Sequence, residues 1–145
     1  MSTPVDIKLT EYDGQYDISW TKDGDFEMTD TLETAVLMSI NGERRAKSYE
    51  VAEASYRRGW IGNLVYDNPD IEDGCGVWLY QQRRLNTQTL NGVRDETEKG
   101  LLWMVSDGIA KTVETFTRPQ DGKVLISIKI KVTDTDYLAL SVTTD

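Results

Sequence analysis

The sequence predicts a single α+β domain that spans residues 1–145. Three observations carry this prediction. The first thirty residues contain short segments that alternate polar and apolar residues and are separated by Asp-Gly turn signals, which is typical of β-hairpins. The middle of the chain repeats apolar residues at helical spacing, and the last third alternates at period two. A chain of 145 residues is long enough to bury a core of its own.

The N-terminal segment is predicted to form short strands in a small meander or a pair of hairpins. Tyr16, Ile18 and Trp20 fall on one face at period two. Asp13-Gly14 and Asp23-Gly24 supply the turns that would separate the strands. These features place the beginning of the chain in the β part of the fold.

About three helices are predicted in the middle of the chain. The first carries an apolar stripe over residues 32–40, the second is short and runs from Val77 to Leu85, and the third runs from Thr89 to Asp107. Gly92 and Gly100 weaken the third helix by up to about 1 kcal/mol each relative to alanine. Close packing against a neighbouring element would explain both glycines.

The last third of the chain is predicted to form a three-stranded antiparallel meander with one apolar side. Residues 124–132 give the clearest period-two pattern of the sequence, and Leu138, Leu140 and Val142 continue it on one face. The final strand would lie at an edge of the sheet, where it could accept a strand from another chain. Those three residues are therefore candidate partner contacts, and the alternative is an edge that is covered or protected by charge.

Composition limits the classes of function. Side chains give a net charge of −9, which argues against a nucleic-acid binder because such proteins need a basic face. No apolar run approaches the ~20 residues that span a bilayer, so no membrane partner is expected. The N-terminus lacks the layout of a signal peptide, and a single cysteine excludes an internal disulfide framework. Synthesis and folding in a reducing cytoplasm are expected.

The sequence offers no catalytic, cofactor or metal site. Histidine is absent, which removes the usual general base, the usual zinc ligand and the Ser-His-Asp triad. A glycosidase needs two carboxylates ~5 to 9 Å apart, and the pattern selects no pair from the 25 acidic residues. The carboxylates considered are Glu50, Glu53, Asp95, Glu96 and Glu98. Cys75 lies between glycines among acidic neighbours, which does not favour its thiolate.

Arginine pairs and tryptophans are the remaining candidates for recognition. Three arginine doublets have two equally weighted interpretations, which are internal ion pairing and contact with a partner. Arg44 and Arg45 follow the predicted end of the first helix and are the preferred partner contacts. Trp60 lies in the Gly-bracketed segment Arg57–Asn63 and is either an interface residue or a core anchor. The other tryptophans, Trp20, Trp78 and Trp103, are predicted to be core residues.

Several short motifs in a specific order give the sequence a family resemblance. The motifs are Leu32-Glu33-Thr34-Ala35-Val36, Arg44-Arg45, Arg58-Gly59-Trp60-Ile61-Gly62, Trp78-Leu79, Leu102-Trp103 and Asp107-Gly108. With them the chain resembles the phage Mu gene-product-forty-six family of contractile-tailed phages. The wider group carries Glu-Pro-Arg after its long helix, whereas this chain has residues 108–112 in that place. We therefore do not assign to this chain the core contact that the wider group makes there.

The resemblance implies a single baseplate wedge-like domain that is structural and not enzymatic. It implies a protein of the virion tail baseplate, present in several copies, assembled in the host cytoplasm and bound to other wedge proteins. Tail sheath or tube proteins are further candidate partners, because the C-terminal sheet of the wider group resembles the strand-exchange domain of the sheath. Two alternatives stay open, a carboxylate-based peptidoglycan hydrolase and an assembly factor absent from the finished particle.

Overall fold

The computed structural model describes residues 6–13, 15–60, 65, 74–81 and 83–144, and these residues form an α+β structure. They separate into two compact units, residues 1–37 and 38–145. The prediction of one domain over the whole chain stays a prediction. The strands are β1 (Asp6–Ile7), β2 (Leu9–Tyr12), β3 (Gln15–Ile18), β4 (Met28–Thr29), β5 (Thr112–Gln120), β6 (Lys123–Lys131) and β7 (Tyr137–Thr144). The α-helices are α1 (Glu33–Asn41) and α2 (Thr87–Ser106).

Short antiparallel strands form the N-terminal unit, as the sequence predicts. β1 pairs with β4, β2 pairs with β3, and an isolated bridge joins Trp20 to Phe26. The prediction that Trp20 is a core residue is wrong, because 64% of its surface is exposed. Its ring lies against that of Phe26, with 4.7 Å between centroids. A two-stranded ribbon buries a side chain only if another layer covers that face, so period two alone did not predict burial.

Helix α2 is the long helix of the C-terminal unit and agrees closely with the predicted segment. The side chain of Asn86 caps its first turn by accepting the N–H of Thr89 at 2.9 Å. The two glycines within it allow close packing: a Cβ at Gly92 would overlap the ring of Tyr80, and one at Gly100 would lie 2.6 Å from the Cβ of Cys75. The predicted explanation of these glycines is therefore confirmed.

The predicted second helix is instead a single 3₁₀ turn, Val77–Tyr80. Its hydrogen bonds join residues three apart, as from the N–H of Leu79 to the carbonyl of Gly76, and Gln81 is already extended. Gly76 at its N-terminus has no side chain with which to cap a longer helix. The described residues thus contain two α-helices, where the sequence indicated about three.

The C-terminal meander has the predicted topology, with strand order β5-β6-β7 and both pairs antiparallel. Alternate residues of β6 are buried and form the centre of the apolar face, namely Val124, Ile126, Ile128 and Ile130. Helix α2 packs against β5, where the hydroxyl of Thr117 donates to the carbonyl of Leu90 at 2.8 Å. Val142 of β7 is buried opposite Ile126. The core of this unit therefore lies between α2 and one face of the sheet.

Candidate functional site

Arg44 lies at the centre of a largely buried ion cluster. Its guanidinium donates to both carboxylate oxygens of Glu50, at 3.0 and 2.8 Å, and to both of Glu96, at 3.1 and 3.0 Å. The exposed side-chain fractions are 14% for Arg44, 21% for Glu50 and 9% for Glu96. Gly76 makes room for this cluster, because a Cβ there would overlap the carboxylate of Glu96. The geometry is the internal ion pairing that was one of the two interpretations of the arginine doublets.

Electrostatics make the carboxylate of Glu50 unsuited to acid catalysis. The hydrogen bonds from Arg44 lower the pKa of Glu50 to about 2, against the opposing effect of burial. A glycosidase needs one carboxyl group whose pKa is raised, so that it can donate a proton near neutral pH. Two other carboxylates considered for a glycosidase have structural contacts. Glu53 caps a 3₁₀ turn by accepting the N–H of Ser55, and Asp95 forms an ion pair with Arg94 at 3.3 Å.

The other arginines of the first two doublets hold a loop together, which we call the arginine loop (residues 43–60). Arg45 donates to the carbonyls of Ala54 and Arg58, both at 3.2 Å. Arg57 donates to the carbonyls of Val51 and Ala52, at 2.8 and 2.7 Å. Each guanidinium thus donates to two backbone carbonyls of this loop and ties its ends together.

The end of the arginine loop is shaped by two left-handed residues. Arg58 has φ 53° and Gly59 has φ 104°, and a Cβ at Gly59 would lie 2.7 Å from the Cβ of Arg45. Glycine is therefore required at position 59 both for its backbone angle and for space. The next residue, Trp60, is 51% exposed. Gly62 and Asn63, which complete the predicted segment, lie outside the described residues.

The remaining tryptophans of this unit differ from the predicted core positions. Trp78 is partly buried, donates its indole N–H to the carbonyl of Arg44 at 2.9 Å, and lies 4.8 Å from the guanidinium of Arg58. Trp103 is 38% exposed and donates to the hydroxyl of Ser39 at 3.0 Å. Both rings use their polar edge, which explains why neither is fully buried.

Cys75 is buried beside the ion cluster and is chemically quiet. Only 2% of its surface is exposed, and burial raises the pKa of its thiol to about 11. The thiolate is therefore scarce near neutral pH, as its acidic neighbours led us to expect.

Strand β7 forms an edge of the sheet among the described strands, because it pairs with β6 alone. The N–H of Val132 donates to the carbonyl of Asp136, so the next hydrogen-bonded pair in this register is Ile130 with Leu138. Backbone groups alternate along an antiparallel strand. Those of Ala139 and Ser141 therefore point away from β6, toward the open side of the edge.

The structure places the six predicted contact residues in two separate areas of the C-terminal unit. The guanidinium of Arg44 lies inside the ion cluster, and the neighbouring Arg45 and Trp60 are exposed. Leu138 and Leu140 are partly buried and Val142 is buried, so all three side chains face the core. Whether any of the six contacts a partner stays a prediction.

Sequence reasoning did not identify two groups of residues in these areas. Glu96 is the buried partner of Arg44, but the sequence, in which it follows Asp95 and precedes Glu98, suggests it only as one of several carboxylates considered for a glycosidase. Ala139 and Ser141 carry the outward backbone groups of β7. Period two could have identified them, since they alternate with the apolar residues of that strand.

Within the described residues, no helix is both long and apolar enough to cross a membrane.

The sequence profile of the family described as Phage protein GP46 matches residues 32–138. The chain is 30% identical to Baseplate protein gp46 of Escherichia phage Mu over 107 residues, which is 72% of this chain and 70% of that protein. It is 24% identical to Mu-like prophage FluMu protein gp46 of Haemophilus influenzae over 130 residues, or 89% of this chain and 88% of that protein.

Proposed function

Because this chain belongs to the phage protein GP46 family, we propose that it is a structural component of a contractile phage tail baseplate. The observation that carries the proposal is its similarity to a protein named as a baseplate protein of phage Mu. In this proposal the chain is not an enzyme. It acts as a wedge protein in several copies per baseplate, binds larger wedge subunits and joins the particle after folding in the host cytoplasm.

We further propose that β7 starts the tail sheath by accepting a strand from a sheath protein. The strand Tyr137–Thr144 contains no charged residue, no proline and no glycine. Natural edge strands that must not pair usually carry such blocking residues. Eight residues of unblocked edge therefore support a role in strand addition, in which backbone hydrogen bonds provide the affinity.

A proline variant tests this role without removing the fold. Ala139→Pro replaces an outward N–H, so the hydrogen bonds between β6 and β7 are kept. We expect a thermal midpoint within a few degrees of the wild type, normal recovery of the chain in tails, and at least about tenfold fewer tails with sheath. Ala139→Ser is the matched control and should assemble normally. Normal sheath on Ala139→Pro tails would refute the strand-addition role.

The two rival functions have direct tests. A turbidity assay on purified cell walls examines the hydrolase, and the lowered pKa of Glu50 leads us to expect no clearing. Clearing that disappeared in Glu50→Gln or Glu96→Gln would favour the enzyme. Mass spectrometry of purified virions examines the assembly factor, since a structural component must be present in the finished particle.

A further inference from the structure

The N-terminal unit exposes four apolar side chains that share one face of its strands. The exposed fractions are 36% for Ile18, 64% for Trp20, 43% for Phe26 and 49% for Met28. Trp20 and Phe26 are cross-strand neighbours whose rings touch. Ile18 and Met28 lie two residues from them along the chain, on the same side at period two. We call these four residues the N-terminal apolar face.

The opposite side of the same ribbon supports this assignment of faces. Ser19 lies between Ile18 and Trp20 in sequence and is 7% exposed, with its hydroxyl 2.6 Å from that of Thr10. At residues 18–20 and 26–28, side chains therefore alternate between an open side and a side on which Ser19 is buried and Glu27 is partly buried. The open side holds an aromatic pair, and exposed clusters of this kind with polar borders mark interaction sites. Tryptophan in particular is enriched among residues that dominate binding energy.

Charge indicates the chemistry of the partner. Residues 1–37 contain nine acidic and two basic side chains, a net charge of −7, whereas residues 38–145 contain sixteen acidic and fourteen basic ones, a net charge of −2. The turn between Trp20 and Phe26 exposes Asp23 and Asp25 together with Lys22, so its net charge is −1. Anionic lipids and nucleic acids are repelled by such a surface, and a basic protein surface is attracted to it.

We propose that the N-terminal apolar face docks on a neighbouring protein of the particle, on an apolar patch bordered by lysine and arginine. The stacked pair of Trp20 and Phe26 enters the patch, and the acidic turn meets the basic border. This inference rests on the proposed function only in that the neighbour is a tail protein. It adds a docking surface in the N-terminal unit, which the proposed sheath contact through β7 does not use.

Photo-crosslinking in assembled tails tests the docking directly. A photoreactive phenylalanine analogue replaces Trp20, tails are purified and irradiated, and the joined peptides are identified by mass spectrometry. We expect a peptide of a different protein with an excess of lysine and arginine. The same analogue at Tyr56, which is 70% exposed in the arginine loop, is the control and should not give that peptide.

Crosslinks only to a second copy of this chain, or only to an acidic segment, would overturn the inference. So would tails that contain the chain at normal copy number but give no crosslink to another protein from position 20, and this result leaves the proposed function intact. Absence of the chain from tails would overturn both.

Competition for places in the particle provides a second test. The double variant Trp20→Ser, Phe26→Ser is produced together with the wild type, and their ratio in purified tails is measured. We expect at least about tenfold depletion of the variant, because both contacts lie at the centre of the proposed interface. Asp25→Lys should be depleted severalfold, and Tyr56→Ser should not be depleted. Equal entry of the double variant and the wild type would refute the proposal, provided that both show the same thermal midpoint.

Discussion

The C-terminal meander and the arginine loop belong to the same unit but are stabilised by different interactions. In the meander, strand hydrogen bonds satisfy the backbone, and alternating apolar side chains such as Ile126 fill the core. In the arginine loop, the guanidinium groups of Arg45 and Arg57 donate to backbone carbonyls, and Arg44 anchors the loop to Glu96 of α2. Hydrogen bonds and ion pairs of the arginines thus stabilise the loop that ends at Trp60, whereas apolar packing stabilises the meander.

The largest effect is expected in the core of the meander. Ile126→Ala removes a side chain with no exposed surface and should lower the free energy of unfolding by about 3 to 4 kcal/mol. Urea denaturation measures this change. Ser141→Ala, on the exposed face of β7, should stay within about 0.5 kcal/mol of the wild type. Similar losses from both variants would mean that the faces of the sheet are not distinguished as described.

Arg44→Met should show that the arginine loop depends on charge pairing. The change leaves the carboxylates of Glu50 and Glu96 without their common cation, so we expect a loss of about 3 kcal/mol in the same assay. Arg94→Met is the matched control, because Arg94 forms an exposed ion pair with Asp95 within the described part of the chain, and it should cost less than about 1 kcal/mol. Equal losses of unfolding free energy in the two variants would mean that the buried ion pairs of Arg44 stabilise the protein no more than the exposed pair of Arg94.

The ion cluster also predicts acid sensitivity. The pKa of Glu50 falls from the ordinary value of 4.5 to about 2 on folding, so its contribution to stability is complete above about pH 4.5. That contribution is lost as the pH falls from about 4.5 to about 2, where the folded protein takes up the proton. Thermal midpoints across this range should fall less steeply in Glu50→Gln than in the wild type. Identical slopes would contradict the assigned pKa.

Two glycines with positive φ angles, one in the arginine loop and one in the meander, are expected to give the smallest difference in stability. Gly59→Ala should cost about 2 kcal/mol, because the new Cβ meets Arg45 in addition to the backbone strain. Gly122→Ala, in the open turn between β5 and β6, carries the strain alone and should cost about 1 kcal/mol. If the two costs are equal, close packing at Gly59 adds nothing to the stability of the arginine loop.

Sequence alone predicted the meander well for a physical reason. The alternation over residues 124–132 is local, and a strand whose one face is buried has only one register that keeps its apolar residues inside. The end of α2 was predicted equally well, because Gly108 adopts the positive φ, 75°, that a helix C-cap favours.

The arginine loop could not be predicted in the same way. Arg44 and Glu96 are 52 positions apart, and no spacing rule selects one partner from 25 carboxylates. The exposure of Trp20 was missed because alternation assigns a residue to a face without showing whether a second layer covers that face. The sequence contains the doublet Arg44-Arg45, but which of its two side chains is buried depends on tertiary contacts.

Electron microscopy of purified contractile tails, with each density assigned to its chain, would show whether this protein is part of the baseplate. We expect several copies of this chain in the baseplate, with β7 extended by a strand from a neighbouring protein. Tails whose complete baseplate contains no copy of this chain would contradict this expectation.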